Sequence, residues 1–333
     1  MSQSAIWLSE ADVASLVSLK DTLGVLEAGV RELGEDTAFN IPKALANFHD
    51  ASSLHSLGSV MLGAGVCGFK NWINTPQGAK ALFILFDANE GRLLAMMEAN
   101  CLGQMRTAAM TGLGTRWMTN PDVREMTLIG TGRQALAQVA AVHLVQNLKQ
   151  IRIWSPTAEK RQAFCKEVAS QFDIEVIESK TLEEATEGAP IVTTVTRARE
   201  PFLKSSMLAH GAHLNAVGAI LPHSAEFEQE VFERVGFIGV DDVPNAKKAS
   251  RELIEYFDKG AGAGNWDRVR PLGKIIANGE KAPAGCDITL FKSMGMGISD
   301  LTVAALAYRR ANERGIGEPI PLVAKAPVRW TDK

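Results

Sequence analysis

Apolar and polar positions change rhythm twice along this chain, and each change marks a different kind of structure. Near the N-terminus, residues 9–12 open one helix and residues 19–22 open another. The second runs to about residue 33, with apolar residues at helical spacing. From residue 44 to 87 the pattern becomes short strand-like runs, at 59–63, 67–73 and 81–86. A hairpin-type turn at 87–91 leads into a further run at 93–97. The spacing then predicts a helix from about residue 103 to 118, ending near Asn120 and Pro121.

From Met126 onward strands and helices alternate. Strands are predicted at 126–129, 151–154, 174–177, 190–194, 213–217 and 235–240, with helical stretches between most of them. Such alternation specifies an α/β fold built on a parallel, doubly wound sheet. After residue 285 comes an apolar run through residue 291, followed by a strongly amphipathic helix from about 298 to 314. Lying downstream of a finished parallel-sheet fold, that helix is expected to cross back onto the first domain. The expected organisation is an α+β domain made of residues 1–119 with 300–333, and a parallel-sheet α/β domain over 120–299.

Composition narrows the partners. The chain has 333 residues, 46% hydrophobic and 22% charged, with a net charge of -3, so nothing points to nucleic acid or an anionic membrane. No apolar run approaches the ~20 residues of a membrane span, and the N-terminus lacks the basic start and apolar core of a signal peptide. Cys67, Cys101, Cys165 and Cys286 lie far apart, which reads as reduced thiols of a cytoplasmic protein. His49, His55, His143, His210 and His213 show no metal-ligand spacing.

The segment with the clearest chemistry is Gly130-Thr131-Gly132-Arg133-Gln134-Ala135, which follows the apolar run 126–129 and opens a helix. Gly130 permits a tight turn, Gly132 lets backbone approach a pyrophosphate, and the small Ala135 lets the helix sit close to the sheet. The helix N-terminus then faces the anion. The second strand of the fold ends in Trp154, followed by Ser155, Pro156 and Thr157, without the carboxylate that would hold a ribose 2′-hydroxyl and repel a 2′-phosphate. Ser155 and Thr157 can donate hydrogen bonds, and Lys160 or Arg161 can supply charge. This favours NADP(H), with NAD(H) left open by Glu159.

Several segments together resemble the ornithine cyclodeaminase/mu-crystallin family. They are Phe69-Lys70-Asn71, the turn over 83–91, Gln104-Met105-Arg106-Thr107-Ala108-Ala109, the glycine motif, Asn215-Ala216-Val217-Gly218-Ala219, and Phe291-Lys292-Ser293-Met294-Gly295 with Asp300. They occur in the family's order and span about residues 60 to 310. The resemblance implies that the first domain, 1–119 with 300–333, is an α+β substrate-binding and dimerisation domain that forms a homodimer through its sheet, and that 120–299 is a Rossmann-type nucleotide-binding domain. It also implies coenzyme contacts from Val217, Gly218, Ser293 and Gly295, and hydride exchange at a carbon bearing both nitrogen and carboxylate. Family activities include ornithine cyclisation, reduction of 2-oxo acid imines and alanine dehydrogenation, and mu-crystallin binds thyroid hormone.

On this resemblance Arg106 is the substrate-carboxylate anchor, since a guanidinium can grip a carboxylate with two parallel hydrogen bonds. Lys70, inside an apolar strand-like run, is expected to exchange protons with the substrate nitrogen or to add a carboxylate contact. His55, Met61, Asn71 and Trp72 are expected to shape the pocket around it. Two positions depart from the family pattern. Lys43, after Pro42, stands where relatives often carry an arginine, so a point charge replaces a fork. Ile220 stands where cyclodeaminases and the related alanine dehydrogenases carry an aspartate, which removes a base that ornithine cyclisation needs. His223 is the nearest titratable group to the lost carboxylate and is a candidate substrate contact. The expected function is therefore NAD(P)H-dependent reduction of a small 2-imino acid to an amino acid, possible in reverse as an amino-acid dehydrogenase. The alternatives are a cyclodeaminase-type lyase and a non-catalytic mu-crystallin-like binding protein.

Overall fold

The computed structural model describes residues 4–49, 52–321 and 327–331, so parts of the expected first domain, 1–119 with 300–333, lie outside the described residues. Two sheets organise the molecule. The first has seven strands in the spatial order Glu318–Pro319, Ile6–Leu8, Leu93–Glu98, Gly78–Asp87, Val66–Thr75, Ser52–Met61 and Ala38–Phe48. All neighbours are antiparallel except Ile6–Leu8 beside Leu93–Glu98. The second has eight strands, in the order Val269–Pro271, Val235–Val240, Ile288–Lys292, His213–Ala216, Ile191–Thr194, Glu125–Ile129, Gln150–Trp154 and Glu175–Glu178. Every pairing in it is parallel. The α/β class and the strand–helix alternation from residue 126 are thus both present.

Local chemistry explains the early helices. Ser9 and Asp12 form a reciprocal capping box at the start of helix Glu10–Leu16, and Ser18 with Asp21 do the same for helix Leu19–Gly34. Strand Ala38–Phe48 was not expected, because Pro42 interrupts it and its side chains are mostly exposed. It is tolerated because the strand is at the sheet edge and its register with Ser52–Met61 shifts between Ile41 and Ala44. That irregularity re-aims the side chains between those residues.

Two helices join the layers. Helix Asn100–Met118 begins one turn earlier than the sequence suggested and has Leu102 and every residue from Ala108 to Thr115 buried. Such an element, lacking a polar stripe, must be enclosed by other elements. It packs on helix Leu19–Gly34 and strand Gly78–Asp87 of the first layer, and on helix Ala135–Gln146 and strand Ile288–Lys292 of the second. Helix Gly297–Arg314 leaves the second sheet and covers the inner face of the first, packing on strands Ser52–Met61 and Val66–Thr75. A side chain at Gly297 would collide with the backbone carbonyl of Gly58, so the helix begins directly on the strand backbone. Arg310 then fastens it to helix Leu19–Gly34 by a two-point contact with Asp21, at 2.7 and 2.9 Å.

Candidate active site

In the parallel sheet the strand order reverses between Glu125–Ile129 and Ile191–Thr194, and the crevice at the carboxyl ends of such strands is where open α/β sheets bind ligands. The glycine turn sits there. Gly130 has φ +109°, and a Cβ on it would meet the carbonyl of Val195. Only glycine satisfies both constraints. Gly132 and Arg133 are exposed, and a Cβ on Gly132 would meet nothing, so its backbone is open to an approaching group. Gln134, at the N-cap of helix Ala135–Gln146, makes no side-chain cap, which leaves that helix end open toward the turn. These features fit a dinucleotide pyrophosphate.

At the end of the second strand, Ser155 is buried and accepts a hydrogen bond from Thr131 Oγ1 at 3.2 Å, while Thr157 and Lys160 are exposed. Arg161 is not available as the sequence suggested. It is buried, donating to Glu178 at 2.9 Å and to the Ser155 carbonyl at 2.7 Å.

Lys70 lies on a central strand, and its side chain faces inward under helix Gly297–Arg314. There the Lys70 Nζ is 2.7 Å from Asp300 Oδ1, and the same oxygen is 3.2 Å from Arg106 Nε. Asp300 is fully buried, and its second oxygen has no hydrogen-bond partner among the described residues. Nε is the one guanidinium atom of Arg106 with such a partner among the described residues, and its terminal nitrogens lie beside Gly295. Two residues earlier on the same helix, Gln104 donates to the carbonyl of Arg133 in the glycine turn at 3.0 Å. One helical stretch therefore spans the glycine turn, Arg106 and the Lys70 cluster.

Burial, then the positive charge of Arg106, pushes the Lys70 amine down to about 8 despite the opposing pull of Asp300. The indole of Trp72 lies within 4.9 Å of the Lys70 ammonium and 5.7 Å of the Lys43 ammonium. The strand irregularity thus brings Lys43 to the same wall. Burial and Arg106 lower its amine as well. His55 stacks flat on Trp72 at 4.4 Å. Burial, Lys43 and Lys70 hold its imidazole down to about 4, so it is neutral at physiological pH.

Not every expected residue joins this cluster. Asn71 is on the opposite face of the strand from Lys70 and Trp72, because side chains alternate along a strand. His223 sits exposed on a turn and makes no hydrogen bond with Lys70, Arg106 or Asp300. Gly218 has no room for a side chain against the backbone of Thr196, and it and Ala219 donate their N–H groups to Glu226. Val217 is buried beside it. Ser293 Oγ and the N–H groups of Met294 and Gly295 all donate to Asp241, so this carboxylate shapes the loop. Lys292 is enclosed and paired with Glu252 at 3.3 Å.

Sequence reasoning did not single out Asp241, Asp242, Asn40 or Glu226, and it gave Asp300 no role. Asp241 and Asp242 had a signal, since they directly follow an apolar strand at its ligand-bearing end. Asn40 had none. It donates to Asp242 at 3.1 Å and accepts from the Ile298 N–H at 2.9 Å, across elements far apart in sequence. Burial pushes Asp242 up to about 6.

Comparison with known proteins agrees with this architecture. The model of the ornithine cyclodeaminase/mu-crystallin family matches residues 4–315. A Delta(1)-pyrroline-2-carboxylate reductase of Bacillus cereus is 28% identical over 323 residues, covering 94% of this chain and 98% of the relative. Ketimine reductase mu-crystallin of Rattus norvegicus is 33% identical over 236 residues, 71% of each chain. The solved Thermococcus litoralis Delta(1)-pyrroline-2-carboxylate reductase, in complex with NADH and L-proline, superposes with a TM-score of 0.88 at 26% identity, covering 95% of this chain and all of that one. With a family model matching nearly the whole chain, the protein belongs to the ornithine cyclodeaminase/mu-crystallin family.

Proposed function

We propose that the protein is an NAD(P)H-dependent reductase of 2-imino acids, converting a C=N bond into the amine of an amino acid. The observation that supports it best is the Arg106 guanidinium, whose Nε shares Asp300 Oδ1 with the Lys70 ammonium while its terminal nitrogens lie beside Gly295 and make no hydrogen bond among the described residues. The names of the relatives point the same way. The glycine turn, with Thr131, Gly132 and Arg133, would hold the coenzyme's pyrophosphate, and the 293–295 loop would border its nicotinamide, which would supply the hydride. Arg106 grips the substrate carboxylate by its end-on pair of nitrogens, and Lys43 adds a second positive charge from the Trp72 wall. Lys70 protonates the imine nitrogen. That transfer moves a charge already present, so an iminium, the better hydride acceptor, forms without new charge entering the pocket. In the reverse direction neutral Lys70 takes the proton back.

The reading includes two finer points. Trp154 and Ser155 stand where a ribose-binding carboxylate would be, and exposed Thr157 and Lys160 lie next to them, which supports NADP(H) over NAD(H). The outer face of the first sheet carries exposed Phe39, Ile41, Leu54, Phe69 and Ile73, a patch suited to a second copy of the chain.

The test is steady-state oxidation of NADPH and NADH with cyclic ketimines, and with pyruvate, glyoxylate or oxaloacetate plus ammonia or methylamine. Turnover with an imine and none with the 2-oxo acid alone is the expected result. Ammonia release from ornithine without net coenzyme oxidation would replace this reading with a cyclodeaminase. The exposed Ile220 offers such a reaction no base. Coenzyme binding with no turnover on any substrate would leave a binding protein.

A further inference from the structure

Five elements converge on the Lys70 ammonium. Strand Ala38–Phe48 contributes Lys43, strand Ser52–Met61 His55, its own strand Trp72, helix Asn100–Met118 Arg106, and helix Gly297–Arg314 Asp300. Gly103 leaves the space that a side chain would take, since a Cβ there would lie 3.4 Å from Nζ. Among the described residues Asp300 is the carboxylate in contact with this group, and it touches both Lys70 and Arg106 through one oxygen.

Building on the imine-reductase reading, we propose that Asp300 is the positioning residue of this site: one of its oxygens holds the Lys70 ammonium and takes Nε of Arg106, which leaves the end-on fork of that guanidinium for the substrate carboxylate. A guanidinium offers paired donors side-on, through Nε and one terminal nitrogen, and end-on, through both terminal nitrogens. Occupying Nε removes the side-on choice. Asp300 is itself fixed. It lies in the first turn of its helix, where the helix dipole favours a carboxylate. That helix is seated by Gly297 on the backbone of Gly58 and by the Ile298 N–H on Asn40. Two mobile cationic side chains from different elements thereby acquire one geometry, which a substrate would otherwise have to impose at an entropic cost. The negative charge also favours the ammonium form of Lys70 against the burial that disfavours it.

Asp300→Asn is a clean probe. The unpartnered Oδ2 receives no hydrogen bond, so an amide NH2 in its place displaces none, while Oδ1 stays as an acceptor for both cations. Lysine side chains labelled with 13C at Cε report the titration of Lys70 by NMR, the resonance being assigned by its absence from Lys70→Arg. In the native protein the midpoint is expected near 8. In Asp300→Asn it falls by about one unit or more, the alkaline limb of kcat/KM for imine reduction falls with it, and KM below that midpoint rises about tenfold or more. An unchanged midpoint and KM, with a lower melting temperature alone, would mean that Asp300 merely supports the fold and would overturn the proposal. Should Asp300→Asn fail to fold, Asp300→Glu keeps the charge but displaces the carboxylate by one methylene; a raised KM is then expected, and an unchanged KM would equally overturn the proposal. If the midpoint moves as expected but no imine is reduced by the native protein, the reaction assignment fails and the positioning of the two cations stands.

Discussion

Arg106 and Lys70 differ in what their loss should do, although both touch the same oxygen of Asp300. Arg106→Ala removes the fork and leaves the Asp300 contact half empty. Truncating one partner of a hydrogen-bonded charge pair costs about 2–5 kcal/mol, so kcat/KM for an imino acid should fall by roughly 30-fold or more, with KM up and kcat down. An unchanged kcat/KM would remove Arg106 from the site. Lys70 governs direction as well as rate. Because its amine is pushed down to about 8, reduction, which needs the ammonium, should decline as pH rises through that value. Amino-acid oxidation, which needs the free amine, should gain over the same interval. Steady-state profiles in both directions check this, and parallel limbs would refute it. A different histidine should report on stability. His213 is enclosed between Thr289 and Asn215, at 2.8 and 3.0 Å, and burial holds it down to about 4. An unfolded chain binds that proton near pH 6.5, so between pH 6.5 and 4 the unfolded state carries more protons and stability falls as pH is lowered. Denaturant titrations should show a loss on the order of 1–3 kcal/mol across this window, reduced in His213→Gln.

Helix Gly297–Arg314 shows what a sequence reveals about an element and what it withholds. The burial of every residue from Gly297 to Ala304 is not legible in its amphipathic spacing. That spacing predicts the helix, a one-dimensional property of the chain, and its return onto the first sheet is expected from its place after the parallel sheet. The glycine turn was legible for a similar reason: strand, turn and helix are contiguous, and Gly130 has a local conformational duty. Strand Ala38–Phe48 was not legible. Its identity rests on pairing with Ser52–Met61 across an irregularity, and its Pro42 argues against a strand when read alone. Lys43 could therefore be proposed by resemblance but not placed. Asn71, expected among the pocket residues, lies on the face opposite Lys70 because side chains alternate along a strand. The contact that seats the helix, Gly297 on Gly58, was equally invisible, being a meeting of backbones with no side-chain signature. It carries a specific expectation. Gly297→Ala places a methyl where the Gly58 carbonyl lies, an overpacking that costs about 1–3 kcal/mol. It also lifts the helix turn that bears Asp300. The melting temperature should fall, and KM should rise more than the loss of stability alone would produce. A drop in melting temperature with native KM would separate the seat of the helix from the geometry of the site.

At the scale of the whole molecule, exposed apolar side chains of the described residues gather on the outer face of the first sheet. Along strands Ala38–Phe48, Ser52–Met61 and Val66–Thr75 the inward positions carry Leu57, Lys70 and Trp72, while Phe39, Ile41, Leu54, Phe69 and Ile73 face out. Large apolar side chains grouped on a sheet are costly to leave in water, and a two-fold partner presenting the same patch would remove them from it. Phe69 directly precedes Lys70, so the strand that carries the proposed proton donor is also the strand a partner would brace. Sedimentation of the native protein should give twice the chain mass. Leu54→Asp together with Phe69→Asp, which puts charge on the patch without touching the inner face, should give the monomer. The glycine turn belongs to the other sheet, so coenzyme binding followed by tryptophan fluorescence should persist in that monomer, whereas imine reduction should fall because strand Val66–Thr75 loses its brace. A native protein that sediments as a monomer would refute the dimer outright, and a double variant that is monomeric yet fully active would show that the patch has no bearing on the site.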